Sequence, residues 1–204
     1  MIAVSASDNQ WNELTGLRSN IEWQRVEGEA DFDQFKNADA FFSLKDGSMP
    51  TGFNFTAKPV IINSVVQTLS YLATPANVYR INGWAGFLNR TVWEVAGTAN
   101  EEMETLFKRL NIKTNFVKDE PGFISARIIA MIINEAYFAV EDNVSSKAEI
   151  DTAMKLGTNY PYGPFEWAEL IGSRNVLALL KKLYETDSRY RPAQLLTKET
   201  SETT

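Results

Sequence analysis

The chain has 204 residues, 44% hydrophobic and 23% charged, a globular composition at a length that suits one large domain or two small ones. It contains no His and no Cys, which excludes Ser-His-Asp and Cys-His nucleophiles, His/Cys zinc sites, thiol redox chemistry and disulfides. A net charge of −6 argues against binding a nucleic-acid backbone, and the longest apolar run, residues 128–133, is too short to span a bilayer. With no basic leader ahead of an apolar stretch, the reading is a soluble, cytoplasmic protein without nucleic-acid or membrane partners.

Residues 1–118 read as short strands separated by polar connections. Ile2-Ala3-Val4 opens the chain, and residues 21–26 alternate apolar and polar. Ala40-Phe41-Phe42-Ser43-Leu44 precedes the turn signal Lys45-Asp46-Gly47. Further strands are expected at 59–62, 78–81 and 93–95. The near-continuous apolar runs around Phe41 and Ile61 suit strands covered on both faces. Helices are expected at 11–17, 31–35 and 65–72, so this part is α/β. The stretch Glu27-Gly28-Glu29-Ala30-Asp31 could offer an acid to a ribose, but a solvated turn is the preferred reading.

From residue 101 the period changes. Residues 101–110 are amphipathic, 112–117 form a short extended run, and the rest reads as helical. In 121–141 apolar residues surround much of a helix, which must therefore be buried. Asp119 is expected to N-cap it, with Pro121 in its first turn. Ser146-Lys147-Ala148-Glu149 has capping-box spacing for a helix ending at Gly157. Pro164 opens another that Gly172 closes, and Ser173 is expected to cap a last helix through Leu183. The expected division is an α/β domain at 1–118, a helical domain at 119–196 and a flexible tail at 197–204.

Four ordered blocks in the helical part carry a resemblance. They are Asp119-Glu120-Pro121-Gly122-Phe123-Ile124, Ile133-Asn134-Glu135-Ala136, the run from Glu149 to Gly157, and Tyr162-Gly163-Pro164-Phe165-Glu166 with Leu170-Ile171-Gly172. Together they closely resemble the C-terminal domain of 3-hydroxyacyl-CoA dehydrogenases. Upstream, Arg80-Ile81-Asn82-Gly83-Trp84 and Val92-Trp93-Glu94-Val95 are similar to the family's stretch in which a Glu orients a catalytic His. Glu94 falls at the Glu position and Asn82 at that of the His. Ile62-Asn63-Ser64-Val65 is similar to a polar strand end, with Val65 where a substrate-binding Ser is expected and Ala126 where the family has Asn.

The resemblance implies a reduced Rossmann-like sheet domain followed by a helical domain through which two copies pair. It also implies NAD, but the turn after the first strand, Ser5-Ala6-Ser7-Asp8, has no glycine before Gly16 to let a diphosphate approach. Oxidising a 3-hydroxyl needs a proton acceptor, and an Asn amide is not one. No cofactor or metal is therefore expected. Candidate site residues are Glu94 as the remnant of the catalytic pair, with Asn82, Ser64 and Asn63 toward a substrate. A plainer role stands beside several of these: Glu94 paired with Arg80 or Arg90, Asn82-Gly83 as a strand-ending turn, and Trp84, Phe87 and Trp93 as core. Asn134 is expected to bond across the domain interface.

Three functions follow. One is a catalytically degenerate member that binds an acyl-CoA or related carboxylic ligand. The second is an active NAD-dependent oxidoreductase using Glu94 with water. The third is a structural, dimerising protein.

Overall fold

The computed structural model describes residues 1–45 and 57–202, so most of the expected Lys45-Asp46-Gly47 turn lies outside the described residues. The chain divides into two compact units, Met1–Phe123 and Ile124–Thr204.

Unit 1 is built on a seven-stranded sheet: β1 Ile2–Ser5, β2 Trp23–Val26, β3 Ala40–Ser43, β4 Val60–Asn63, β5 Val78–Ile81, β6 Val92–Ala96 and β7 Lys113–Phe116. Their order is β2-β1-β3-β4-β5-β6-β7, parallel at every junction except β5 with β6. Strand alternation sends Val4, Phe42, Ile61 and Tyr79 to one face and Ala3, Phe41, Val60 and Ile62 to the other. Helices α1 (Asp8–Gly16) and α2 (Glu101–Arg109) supply Leu14, Met103 and Phe107 to the first cluster. Phe32, from the 3₁₀ segment Glu29–Phe35, packs in the second. Burying each such side chain is worth about 1.5–3 kcal/mol.

The residues expected to form a helix at 65–72 form turns instead, anchored from a distance. Asp119 accepts the N–H groups of Leu69 (3.0 Å) and Ser70 (3.1 Å). It therefore does not cap the long helix α3, which begins later, at Ser125–Glu141. Gly122 and Phe123 have φ of 87° and 50°, left-handed values that stop a helix from extending back to Pro121. The compact units accordingly divide after Phe123, a few residues beyond the expected 118.

Unit 2 contains α3, α4 (Lys147–Thr158), α5 (Pro164–Ile171), α6 (Ser173–Tyr184) and α7 (Gln194–Glu202). The cap signals translate directly into structure. Ser146 and Glu149 close a capping box, Pro164 sits in the first turn of α5, and Gly172 ends it at φ 91°. Helix α4 runs past the expected Gly157 to Thr158, and Asn159 adopts the left-handed cap. The expectation of a fraying tail from 197 is corrected: α7 continues through 202, with Leu196 and Thr200 buried and Glu199 ion-paired to Lys147 at 2.6 Å. Asn134 also differs from expectation, because its amide bonds within unit 2, donating to Arg191 O and accepting from Ala193 N, both at 2.9 Å. Among the described residues, no helix is long and apolar enough to cross a membrane.

Candidate functional site

The antiparallel junction of β5 and β6 organises the candidate residues. Arg80 pairs with Ala96 and Ile81 with Val95, so continuing the register by one residue sets Asn82 across from Glu94. Opposed residues of an antiparallel pair project to the same face. Asn63 ends β4 beside Ile81, and Ser64 follows it. Asn63, Ser64 and Asn82 therefore lie at the ends of β4 and β5, and Glu94 in the middle of the neighbouring β6.

Their side chains serve different ends. Asn82 is buried and its Oδ1 accepts the Trp84 N–H at 3.2 Å, the turn that the sequence allowed for. The Asn63 amide donates to Leu44 O and accepts from Gly83 N, both at 3.0 Å. Asn63 is thus engaged by main chain at both ends of its amide. Ser64 Oγ donates to Gln67 O at 2.8 Å. Val65 is buried, and its carbonyl accepts the Gly122 N–H at 2.7 Å.

Glu94 is half-buried on β6. Of its two candidate cations, Arg90 is the electrostatic neighbour: burial lowers the Arg90 pKa, while the carboxylates of Glu94 and Glu13 pull it back up. Arg80 serves elsewhere, donating from Nε to Asp119 at 2.6 Å and from a second nitrogen to Ser64 O at 2.8 Å. Trp84 and Phe87 are buried, and Trp93 meets Phe107 edge-on at 6.0 Å, so these aromatics are core rather than an open floor.

Chemically, the pair opposite each other is an amide and a carboxylate. Asn82 can donate or accept a hydrogen bond but cannot take a proton from a hydroxyl. Among the described residues, no group of three or more acids is placed to hold a metal ion.

The turn between β1 and α1 is closed by its own cap. Ser7 and Gln10 form a complete capping box: Ser7 Oγ accepts the Gln10 N–H at 3.3 Å and Gln10 Oε1 accepts the Ser7 N–H at 3.1 Å. Asp8 adds a negative charge in the first turn, where a diphosphate would need positive potential. Across the sheet, Asp31 Oδ2 accepts the Gly28 N–H at 3.2 Å, which agrees with the turn reading of that stretch.

Sequence reasoning missed several organising residues. The Ser7-Asp8-Asn9-Gln10 spacing was a readable capping-box signal. Arg18 carried no such signal. It is buried and donates to the carbonyls of Leu14, Leu88, Leu110 and Arg90 at 2.8–3.2 Å, with its guanidinium over the Trp93 ring. Glu13, which accepts the N–H groups of Gly86 (2.7 Å) and Leu88 (3.2 Å), was equally silent.

Comparison with known proteins adds the following. The sequence model described as "3-hydroxyacyl-CoA dehydrogenase, C-terminal domain" matches residues 122–203. A 3-hydroxyadipyl-CoA dehydrogenase of Escherichia coli is 48% identical over 82 residues, covering 39% of this chain and 17% of that protein. A 3-hydroxybutyryl-CoA dehydrogenase of Clostridioides difficile is 42% identical over 106 residues, covering 50% and 38% respectively. The chain thus matches well under half the length of these relatives. The crystal structure of (S)-3-hydroxybutyryl-CoA dehydrogenase from Ralstonia eutropha superposes with a TM-score of 0.73 at 18% identity, covering 99% of this chain and 93% of that one.

Proposed function

Given that residues 122–203 match the 3-hydroxyacyl-CoA dehydrogenase C-terminal domain and the preceding sheet has the Rossmann-like fold of such enzymes, we propose that this chain is a ligand-binding member of the group that does not transfer hydride itself. Its ligand is an acyl-CoA or a related carboxylic compound, held at the carboxyl ends of β4 and β5 by Asn82 and Ser64. The observation that carries this reading is the β5–β6 register, Ile81 with Val95, which extended by one residue sets Asn82 across from Glu94. A proton acceptor is missing from the position that faces the carboxylate, while a hydrogen-bonding group remains. General acid–base help is typically worth about 10²–10⁴-fold, so its loss leaves binding as the function that the remaining groups support.

In this reading Asn82 contacts a ligand carbonyl or hydroxyl, and Glu94 with Arg90 keeps the β5–β6 strand end charged and ordered. Two copies pair through the helical domain. Ile124 and Ile128, one turn apart at the start of α3, are each 52% exposed and supply apolar surface for that contact.

The test is thermal-shift titration with a 3-hydroxyacyl-CoA, with and without NAD, beside an assay of NADH formation at high protein concentration. Stabilisation by the acyl-CoA, reduced in Asn82→Ala, supports the proposal. NADH formation above the uncatalysed rate sinks it, as does indifference to every acyl-CoA tried.

A further inference from the structure

In an open α/β sheet, a ligand crevice forms outside the carboxyl ends of the strands where the winding direction reverses. Here that place is between β1 and β3, since β2 lies on one side of β1 and β3 to β7 follow on the other. Beside it, around the carboxyl ends of β3, β4 and β5, the side chains of Gln10 and Asn63 close a ring of hydrogen bonds with the main chain of Leu44 and Gly83. Gln10 Nε2 donates to Leu44 O (2.6 Å) and to Gly83 O (3.0 Å). Asn63 Nδ2 donates to the same Leu44 O, and Gly83 N returns a bond to Asn63 Oδ1, each at 3.0 Å. Leu44 N also donates to Ser5 O at 2.8 Å, which ties the ends of β1 and β3 directly.

The approach of the two chain segments is tight. A Cβ on Gly83 would lie 2.8 Å from the Asn63 side chain, so glycine is required for the ring to close. All four members are buried, with Gln10 and Asn63 each 8% exposed. Above the ring, the β1–α1 turn has its own cover. Arg25, reaching over from β2, donates to Ala6 O (3.0 Å) and to the Asp8 carboxylate (2.6 Å), and its guanidinium lies 5.6 Å from the Trp11 ring centroid. Asp8 places a negative charge at the positive end of α1, and the Gln10 N–H is taken up by Ser7 Oγ in the capping box.

From this geometry we infer that the chain's own side chains fill the crevice in which this fold otherwise holds a dinucleotide. The Gln10 carboxamide joins α1 to β3 and β5, and Arg25 neutralises the turn above it. Unit 1 is then a scaffold whose strand ends are held by internal hydrogen bonds and which needs no cofactor to be complete. The ring shares the ends of β4 and β5 with the acyl-ligand proposal, since Asn63 precedes Ser64 and Gly83 follows Asn82, but it is tested by nucleotide rather than by acyl-CoA.

Two measurements test it. The first follows protein fluorescence and melting temperature of the wild-type chain as NAD or NADH is added to millimolar concentration. Flat curves with both are expected, and a saturable response to either overturns the inference. The second compares melting temperatures of Gln10→Ala and Gln10→Glu with wild type. Removing two buried donor contacts should lower the midpoint by several degrees. The Glu variant places a carboxylate against two carbonyl oxygens, so it should be the less stable at neutral pH and regain stability as pH falls and the carboxyl protonates. Wild-type melting in both variants would overturn the inference. Should Gln10→Ala fail to fold, the nucleotide titration of the wild type still decides. Failure of acyl-CoA binding would leave these outcomes unchanged, so the two proposals fail separately.

Discussion

The guanidinium of Arg80, wholly buried in β5, is held by the carboxylate of Asp119 at 2.6 Å, although 39 residues separate them. The same guanidinium donates to Gln67 O (3.2 Å) and to the Glu120 carbonyl, and it lies 4.4 Å from the centroid of the Phe123 ring. Arg80 thereby joins the turn after β4 to the segment that ends unit 1. Burial lowers its pKa, and the charge and hydrogen bond of Asp119 act in the opposite direction. The turn it holds carries Ser64, whose carbonyl accepts from the Arg80 guanidinium, so the position of that candidate residue depends on this cation.

Removing this cation should be among the most damaging single changes in unit 1. Arg80→Met strands the Asp119 carboxylate and several carbonyl oxygens, a class of change that costs about 3–5 kcal/mol when a buried pair is broken. Asp119 is 27% exposed on its side chain, so the lower end of that range is expected. Urea denaturation reads the loss directly, and a cost under about 1 kcal/mol would show that Arg80 is not a keystone.

Restoring the imidazole by Asn82→His should not restore a dehydrogenase. The variant places a base opposite Glu94 but leaves the Gln10 ring and the Arg25–Asp8 pair untouched. The expected result is no NADH formation from a 3-hydroxyacyl-CoA. Measurable turnover in the single variant would contradict the filled crevice.

In unit 2, burial first and the neighbouring Glu199 second push the Tyr137 pKa up to about 12. Its hydroxyl donates to Glu199 Oε2 at 3.1 Å, and the Lys147 ammonium lies 5.0 Å from its ring centroid. Because the folded pKa is above the ordinary value of 10, the stability linked to this group is complete below pH 10 and is lost as pH rises toward 12. A shift of this size corresponds to roughly 2–3 kcal/mol. Tyr137→Phe should therefore flatten the alkaline limb of a pH–stability curve, and an unchanged limb would rule out this tyrosine as its source.

Asn134 should be needed for α7 to dock. Asn134→Leu removes the acceptor for Ala193 N and the donor to Arg191 O, leaving two main-chain groups unsatisfied at about 1–3 kcal/mol each. Hydrogen exchange of 193–202 should quicken more than that of α5. Equal protection in variant and wild type would show that the docking of α7 does not depend on Asn134.

Much of this protein is readable from local pattern. Periodicity separates the α/β part from the helical part. Ser146, Pro164 and Gly172 mark helix ends because caps act over three or four residues, and the absence of His and Cys bounds the chemistry by composition alone. The fold as a whole settles a different matter, the partners of polar side chains that lie far apart in the chain. Gln10 reaches Leu44 and Gly83, Arg18 reaches Leu110, and Asp119 leaves the helix it was expected to cap for Arg80 and the turn at Leu69. Hydrophobic pattern says which face is buried. It does not say which carbonyl a buried amide or guanidinium will find, because that depends on strand order and register, and these are set by the packing of the whole sheet.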